Sequence, residues 1–112
     1  MGPENRLIVY GSLAPGKSNH AQMNGMAGTW TPGVVRGHFR ENGWGLGQGF
    51  PGLVPDPNGP ALAILVFTSS ELPAHWRRLD AFEGEEYQRM IVDAEIDGVA
   101  TPANIYAVDR EA

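Results

Sequence analysis

The chain has 112 residues, 42% of them apolar, which suffices for one packed domain that we expect to span residues 1–112. Its net charge of −5 and the lack of a basic stripe argue against nucleic acid and anionic membranes as partners. The absence of cysteine excludes disulfides, thiolate metal sites and a cysteine nucleophile. No segment approaches the roughly 20 apolar residues of a membrane span, and the start lacks a signal-peptide pattern, so we expect a cytoplasmic protein.

The first half of the chain favours strands and loops over helices. Residues 7–10, LIVY, predict a short buried strand that ends before Gly11. Residues 18–28 make a weak helix, because they lack an apolar face and contain two glycines. A second strand is predicted near residues 33–40. A loop or hairpin follows over residues 41–60, which contain six glycines and four prolines.

Residues 61–67, ALAILVF, are apolar throughout and predict a strand buried on both faces. The best helix follows, in SSELPAHWRRLDAFEG, with Ser70 as its N-cap and Pro73 in its first turn. Gly84 is a natural stop after its last turn. Apolar residues recur along this helix at spacings of four, three and three and form one stripe: Leu72, Trp76, Leu79 and Phe82.

The last part of the chain predicts a β-hairpin. Asp97-Gly98 is a two-residue turn between YQRMIVDAEI and the returning VATPANIYAV. Pro102 in the returning strand implies a bulge or an edge position. In the first strand of the hairpin, alternate apolar residues share one face: Met90, Val92, Ala94 and Ile96. Several predicted strands with one clear helix pattern favour an α+β domain or small barrel over alternating βαβ units.

Residues 11–18, GSLAPGKS, match the phosphate-binding P-loop pattern GxxxxGK[ST]. A working P-loop also needs a following helix and a distant acidic residue for magnesium. The segment after Lys17 lacks a face that would hold a helix on a sheet, and no acidic strand end follows the apolar strand. We therefore interpret the match as accidental, with Lys17 as a surface residue, and keep a nucleotide-binding protein as a third hypothesis.

The segment LDAFEGEEYQR contains a candidate general base in Glu83. This carboxylate is predicted at the negative end of the helix dipole, near Glu85 and Glu86, and each of these influences disfavours its charged form. A raised pKa would suit a general base, whereas a solvated surface carboxylate is the alternative that the residues alone favour. The pattern leaves open whether Tyr106 faces the core or a pocket. The three histidines have no metal-ligand spacing, so we predict no metal site.

Three motifs occur in order along the chain: VYGSLAPG near the start, FPGLVP at residues 50–55, and LDAFEGEEYQR at residues 79–89. Together they resemble the gamma-glutamylcyclotransferase-like family, which includes the gamma-glutamylamine cyclotransferases and the AIG2-like proteins. The resemblance covers residues 7–108. It implies a small mixed β-barrel with flanking helices, and a pocket that joins the YGSL turn to the glutamate at the helix end.

The resemblance also implies an activity: cyclisation of a gamma-glutamyl amine or amino acid to 5-oxoproline with release of the free amine. Glu83 would be the catalytic acid/base, and no cofactor, metal or covalent intermediate would be needed. Arg89 would lie in the pocket or its framework. The substrate-binding residues would be Tyr10, Gly11, Ser12, Leu13 and Tyr87. The alternative is a non-catalytic member of the same fold that binds or senses a small molecule, and the oligomeric state stays open.

Overall fold

The computed structural model describes residues 2–11, 13–40, 52–85 and 87–108. Its one α-helix, α1, spans Leu72–Glu83, and two short 3-10 helices span Pro3–Asn5 and His20–Met23. The six strands of these ranges are β1 (Arg6–Val9), β2 (Thr29–Arg40), β3 (Gly52–Pro55), β4 (Ala61–Thr68), β5 (Tyr87–Ile96) and β6 (Val99–Val108).

The strands form one sheet in the order β3-β2-β4-β1-β6-β5. A further pairing between β2 and β5, at Val34 and Glu95, closes five of the strands into a barrel. The β1–β6 pair is parallel and the other pairs are antiparallel. This confirms the predicted α+β class and small mixed barrel.

The central strand β1 is buried on both faces, because successive side chains of a strand point to opposite sides. Ile8 belongs to a cluster that packs with the inward residues of the barrel, together with Val35, Val66 and Ile105. Leu7 and Val9 point the other way and pack in a second cluster. That second cluster attaches the helix to the barrel and contains Leu13, Phe67, Leu72, Trp76, Leu79 and Tyr106.

The helix α1 largely follows the predicted stripe. Leu72, Trp76 and Leu79 are buried, but Phe82 is 38% exposed, so that part of the prediction is wrong. The first turn also begins later than predicted, with Glu71 and not Ser70 at the N-cap position. Gly84 ends the helix as predicted, with a φ of 86°. A residue with a Cβ rarely adopts that φ, so glycine is favoured at this helix end.

The strands confirm the hairpin and revise other details. Asp97 and Gly98 have φ values of 53° and 77°, as a tight hairpin turn requires. The strand β2 begins at Thr29, earlier than predicted, and β4 exposes Ala61 and Ala63, so β4 is not buried on both faces throughout. The strand β3 lies within the predicted loop or hairpin, whose residues 41–51 fall outside the described ranges.

Pro102 takes the edge position that its missing N–H suggests, because the pairing of β6 with β1 begins only at Asn104. Of the helices in the described ranges, none has the length and apolar character needed to cross a membrane.

Candidate functional site

The predicted site residues that the structure describes lie at one end of the barrel, where four elements end or begin. The chain leaves β1 at Tyr10, and β6 ends at Val108 beside Tyr87, the first residue of β5. The helix α1 ends at Glu83, four positions before Tyr87, so its last turn lies at the same end. A short link between helix and strand therefore brings Glu83 to the strand ends.

Glu83 is partly buried, and burial raises its pKa from 4.5 to about 7. Taking a carboxylate out of water disfavours its charged form. The raised pKa agrees with the sequence prediction, and its cause in the structure is burial, which the sequence did not predict. Glu86 lies outside the described residues.

Tyr10 lies beside Glu83 and is held at two points. Its hydroxyl donates to the backbone carbonyl of Tyr106 at 2.6 Å and accepts from the amide of Leu53 at 3.2 Å. Burial raises the pKa of Tyr10 strongly, and the nearby Tyr87 and Glu83 raise it further. Tyr10 is therefore a neutral, fixed residue within electrostatic reach of both Tyr87 and Glu83.

The turn that follows Tyr10 is anchored by Leu13, whose side chain is buried in the cluster beneath α1. The Leu13 carbonyl accepts a hydrogen bond from Nδ1 of His20 at 2.9 Å, and the Gly11 carbonyl accepts one from the Ala14 amide at 3.1 Å. No backbone hydrogen bond joins the amides of Gly11 or Leu13 to another described residue. Ser12, predicted to bind substrate, lies outside the described ranges.

Gly11 faces space that no other described residue fills. Apart from its chain neighbours, no atom of the described residues lies within 4 Å of a Cβ built on it, and its φ is not in the left-handed range. Neither backbone strain nor packing therefore accounts for glycine here, and the space beside it is available to a ligand.

Sequence reasoning missed the residue that holds the helix end to the barrel, Asp80. It lies one turn before Glu83 and accepts hydrogen bonds from Arg89 Nε at 2.8 Å and from the Tyr106 hydroxyl at 2.6 Å. Burial alone would raise its pKa, but the two donors and the Arg89 charge hold that pKa below its usual value. Asp80 is therefore a charged anchor for two strands.

Arg89 belongs to the framework and not to the open side of the site. Its guanidinium lies 4.4 Å from the centre of the Trp76 ring and donates to Asn104 Oδ1 at 3.0 Å. Tyr106, which the sequence left open, points its side chain toward α1 and has its backbone carbonyl bound by Tyr10. Its contacts thus place it between the core and the site.

The P-loop match has no supporting structure. After Lys17, which is exposed, the described chain forms only the four-residue 3-10 helix His20–Met23. In a P-loop protein a longer helix follows the loop and its N-terminus binds the phosphates, and this short 3-10 helix does not meet that requirement. Among the described residues there is also no group of three His, Asp or Glu side chains that could hold a metal ion.

Comparison with known proteins gives one family match and a set of similar folds. A family model described as gamma-glutamyl cyclotransferase, AIG2-like, matches residues 7–112. A search of curated proteins found no match.

Among solved structures, an AIG2-like protein from Mus musculus superimposes with a TM-score of 0.75 at 20% identity, over 96% of this chain and 79% of that one. YkqA from Bacillus subtilis gives a TM-score of 0.70 at 24% identity, over 94% of this chain and 36% of that one. An allophanate hydrolase from Kluyveromyces lactis gives 0.66 at 16% identity, over 94% of this chain and 17% of that one. At these identities the likeness concerns the fold. The chain covers most of the mouse protein but only a minor part of the other two.

Proposed function

Because the chain belongs to the gamma-glutamyl cyclotransferase, AIG2-like family, we propose that it is an enzyme that cyclises a gamma-glutamyl compound to 5-oxoproline and releases an amine. The observation that carries the proposal is Glu83, a partly buried carboxyl with a pKa of about 7 at the barrel end where Tyr10 leads into an open turn. A base with that pKa is partly ionised at neutral pH and can both accept and return a proton. We further propose that the substrate is a small molecule of the cytoplasm.

The proposed reaction needs one general acid/base. The Glu83 carboxylate takes a proton from the α-ammonium group of the substrate. The freed amine attacks the gamma-carbonyl carbon, a new C–N bond closes the five-membered ring, and the carbonyl electrons move onto oxygen. As that oxyanion collapses, the bond to the departing nitrogen breaks and protonated Glu83 gives its proton to that nitrogen. The ring nitrogen still carries a second proton of the original ammonium group, and it loses this proton to the released amine. The products are 5-oxoproline and the protonated amine, and Glu83 is again a carboxylate.

The turn after β1 supplies the other half of the proposed site. Amides of Gly11, Ser12 and Leu13 would bind the substrate carboxylate and the developing oxyanion, since oriented N–H groups stabilise negative charge. The open space beside Gly11 supports a close approach of substrate to backbone. Because the attack is intramolecular, holding the substrate folded removes much of the entropic cost. Tyr10 and Tyr87 would line the same pocket.

The test is release of 5-oxoproline from a panel of gamma-glutamyl amino acids, simple gamma-glutamyl amines and side-chain-linked gamma-glutamyl lysine. We expect the wild-type protein to turn over at least one of them. Its kcat/KM should rise about tenfold per pH unit below pH 7 and level off above it, because the carboxylate form of Glu83 is the base.

The decisive variant is Glu83→Gln, which keeps the shape of the side chain but cannot take a proton. We expect it to lose at least about 1,000-fold in kcat while it stays folded. Glu85→Gln is the matched control, because Glu85 is exposed and only two residues away, and it should keep its activity. A wild-type protein that binds these compounds without turnover would be a non-catalytic member of the fold. Absence of both binding and turnover would reject the proposal.

A further inference from the structure

Tyr106 is hydrogen-bonded to both halves of the candidate site. Its hydroxyl donates to Asp80 Oδ1 at 2.6 Å, and Asp80 lies one helical turn before Glu83. Its backbone carbonyl accepts the Tyr10 hydroxyl, also at 2.6 Å, and Tyr10 immediately precedes the turn at Gly11. A single residue of β6 thus connects the end of α1 to the end of β1.

The connection is held from several directions. Tyr106 is only 5% exposed, so its ring is fixed by packing. Asp80 is fixed from the other side by Arg89, through Nε at 2.8 Å and Nη2 at 3.3 Å. Arg89 is fixed in turn by Asn104 Oδ1 and by the Trp76 ring. Neither partner of the Tyr106–Asp80 bond can therefore swing away without breaking other contacts.

We infer that Tyr106 is a positioning residue, which fixes the carboxyl-bearing end of α1 relative to the substrate-binding turn, with Asp80 and Arg89 as its support. The inference deepens the proposed function and rests on it wherever turnover is measured. Its physical basis is the sensitivity of an intramolecular attack to geometry, since a displacement of about 1 Å can cost about 100-fold in rate.

A purely structural role for Tyr106 predicts something different. The helix α1 is also attached by the buried side chains of Leu72 and Leu79 and by Arg78, which donates to the Gln22 carbonyl at 2.9 Å and to its side chain at 3.0 Å. If the Tyr106 hydroxyl only added stability, its loss and the loss of the Arg78 bonds would affect kcat and the Glu83 pKa to a similar extent. If Tyr106 is a positioning residue, only the loss of its hydroxyl should change kcat and the Glu83 pKa.

The experiment compares Tyr106→Phe with Arg78→Ala. Tyr106→Phe removes only the hydroxyl and keeps the ring and the carbonyl that binds Tyr10. We expect its kcat to fall by about 10- to 100-fold, with KM changed by less than about threefold, because the turn that binds substrate remains. Arg78→Ala should keep the wild-type kcat. Equal effects of the two variants on kcat, or a wild-type kcat in Tyr106→Phe, would overturn the inference.

Asp80→Ala tests the same bond from the helix side, should Tyr106→Phe fail to fold. We expect it to lower kcat by at least a similar factor, because it removes the Arg89 bonds as well as the Tyr106 bond. Where Tyr106→Phe folds, the double variant should lose little more than Asp80→Ala alone, since Asp80→Ala has already broken the Tyr106–Asp80 bond. If the fold-decrease in kcat of the double variant equalled the product of the decreases of the two single variants, the inference would be overturned.

A second readout does not depend on turnover, namely the pKa of Glu83 measured by carbon-13 NMR of its carboxyl group. Tyr106→Phe should lower it from about 7 toward 4.5, because a displaced helix end lets water reach the carboxylate, whereas Arg78→Ala should leave it unchanged. An unchanged Glu83 pKa in Tyr106→Phe would overturn the inference. A wild-type protein without cyclase activity would reject the proposed function alone, and the NMR comparison would then decide.

Discussion

At the scale of single residues, the environment of Glu83 lowers the stability of the protein at neutral pH. Burial disfavours the charged form of this carboxyl in the folded state, so its pKa is raised from 4.5 to about 7. Below pH 4.5 the group is neutral in both the folded and the unfolded chain and costs nothing. Between pH 4.5 and 7 the unfolded chain increasingly loses the proton while the folded one keeps it, and the cost is complete above pH 7.

The resulting prediction concerns Glu83→Gln, whose amide carries no charge at any pH. The variant should match the wild-type free energy of unfolding near pH 4 and exceed it at pH 8, by on the order of 3 kcal/mol. Denaturant unfolding of both proteins at the two pH values measures this difference. Glu85→Gln should show no such trend. A stability difference for Glu83→Gln that is the same at both pH values would contradict the buried position of the carboxyl.

Gly11 allows a test that separates stability from binding. Beyond its chain neighbours, a methyl group at this position meets no atom of the described residues within 4 Å, and the φ of Gly11 is not left-handed. Gly11→Ala should therefore change the free energy of unfolding by less than about 0.5 kcal/mol. Its methyl would occupy space proposed for substrate, so kcat/KM should fall at least about tenfold.

The control for this variant is Gly25→Ala, at a position with a φ of 89° and equally open surroundings. It should lose about 1 kcal/mol of stability through backbone strain and keep its kcat/KM. If Gly11→Ala were fully active, substrate would not approach the backbone at this turn.

At the scale of elements, the end of α1 depends on Gly84. This residue has a φ of 86° and a ψ of −176°, a conformation that is nearly restricted to glycine, and its amide donates to the Asp80 carbonyl at 3.2 Å. Gly84→Ala should therefore destabilise the protein by about 1–3 kcal/mol. It should also lower kcat, because relief of the strain would shift the last helical turn, which carries Glu83.

The control for Gly84→Ala is Gly98→Ala in the β5–β6 hairpin turn, where φ is 77°. That variant should also lose stability but keep its kcat, because the turn lies at the opposite end of β5 from Tyr87. Thermal unfolding and kinetics of both variants give the comparison. Equal kcat values for Gly84→Ala and Gly98→Ala would mean that the position of Glu83 does not depend on the backbone conformation of Gly84.

Elements with a strong local pattern were predictable from the sequence. The Asp97-Gly98 hairpin and the stripe of α1 follow from turn chemistry and spacing alone. The hairpin is confirmed, and the stripe is confirmed at Leu72, Trp76 and Leu79. Phe82 fits the spacing but is partly exposed, because the stripe covers more of the helix circumference than the barrel surface does.

The framework of the site was not predictable in the same way. Asp80 meets Tyr106, 26 positions away, only because β6 lies parallel to β1 beneath the helix. No local pattern encodes that register. The motif LDAFEGEEYQR pointed to Glu83, yet the burial that raises its pKa depends on how the whole barrel end is assembled.

At the scale of the whole molecule, residues near the start of the chain connect the helix to the barrel through backbone groups. The carbonyl of Glu4 accepts from Trp76 Nε1 at 3.0 Å, and the carbonyl of Pro3 accepts from Asn104 Nδ2 at 2.8 Å. Trp76 and Asn104 are both buried, so each donor would be left without a partner if those carbonyls were removed.

Deletion of residues 2–5 should therefore lower the free energy of unfolding by about 2–5 kcal/mol, since each unsatisfied buried donor costs about 1–3 kcal/mol. The double variant Pro3→Ala with Glu4→Ala is the control. It keeps both carbonyls and should stay within about 1 kcal/mol of wild type. Denaturant unfolding of the three proteins measures the effect, and a deletion as stable as wild type would show that the two side chains find other acceptors.

The bond between Tyr10 and Tyr106 joins residues 96 positions apart. During translation, a nascent chain can pair β4 with both β1 and β2 well before β6 has left the ribosome. The strand β6 is the parallel partner of β1 and also carries Tyr106, which binds Asp80. Both contacts therefore form only after β6, which contains the last described residues, has been synthesised. The proposed cyclase site would stay incomplete on every stalled product that lacks β6, so we expect turnover in a cell-free translation mixture to appear only after β6 has been synthesised and folded.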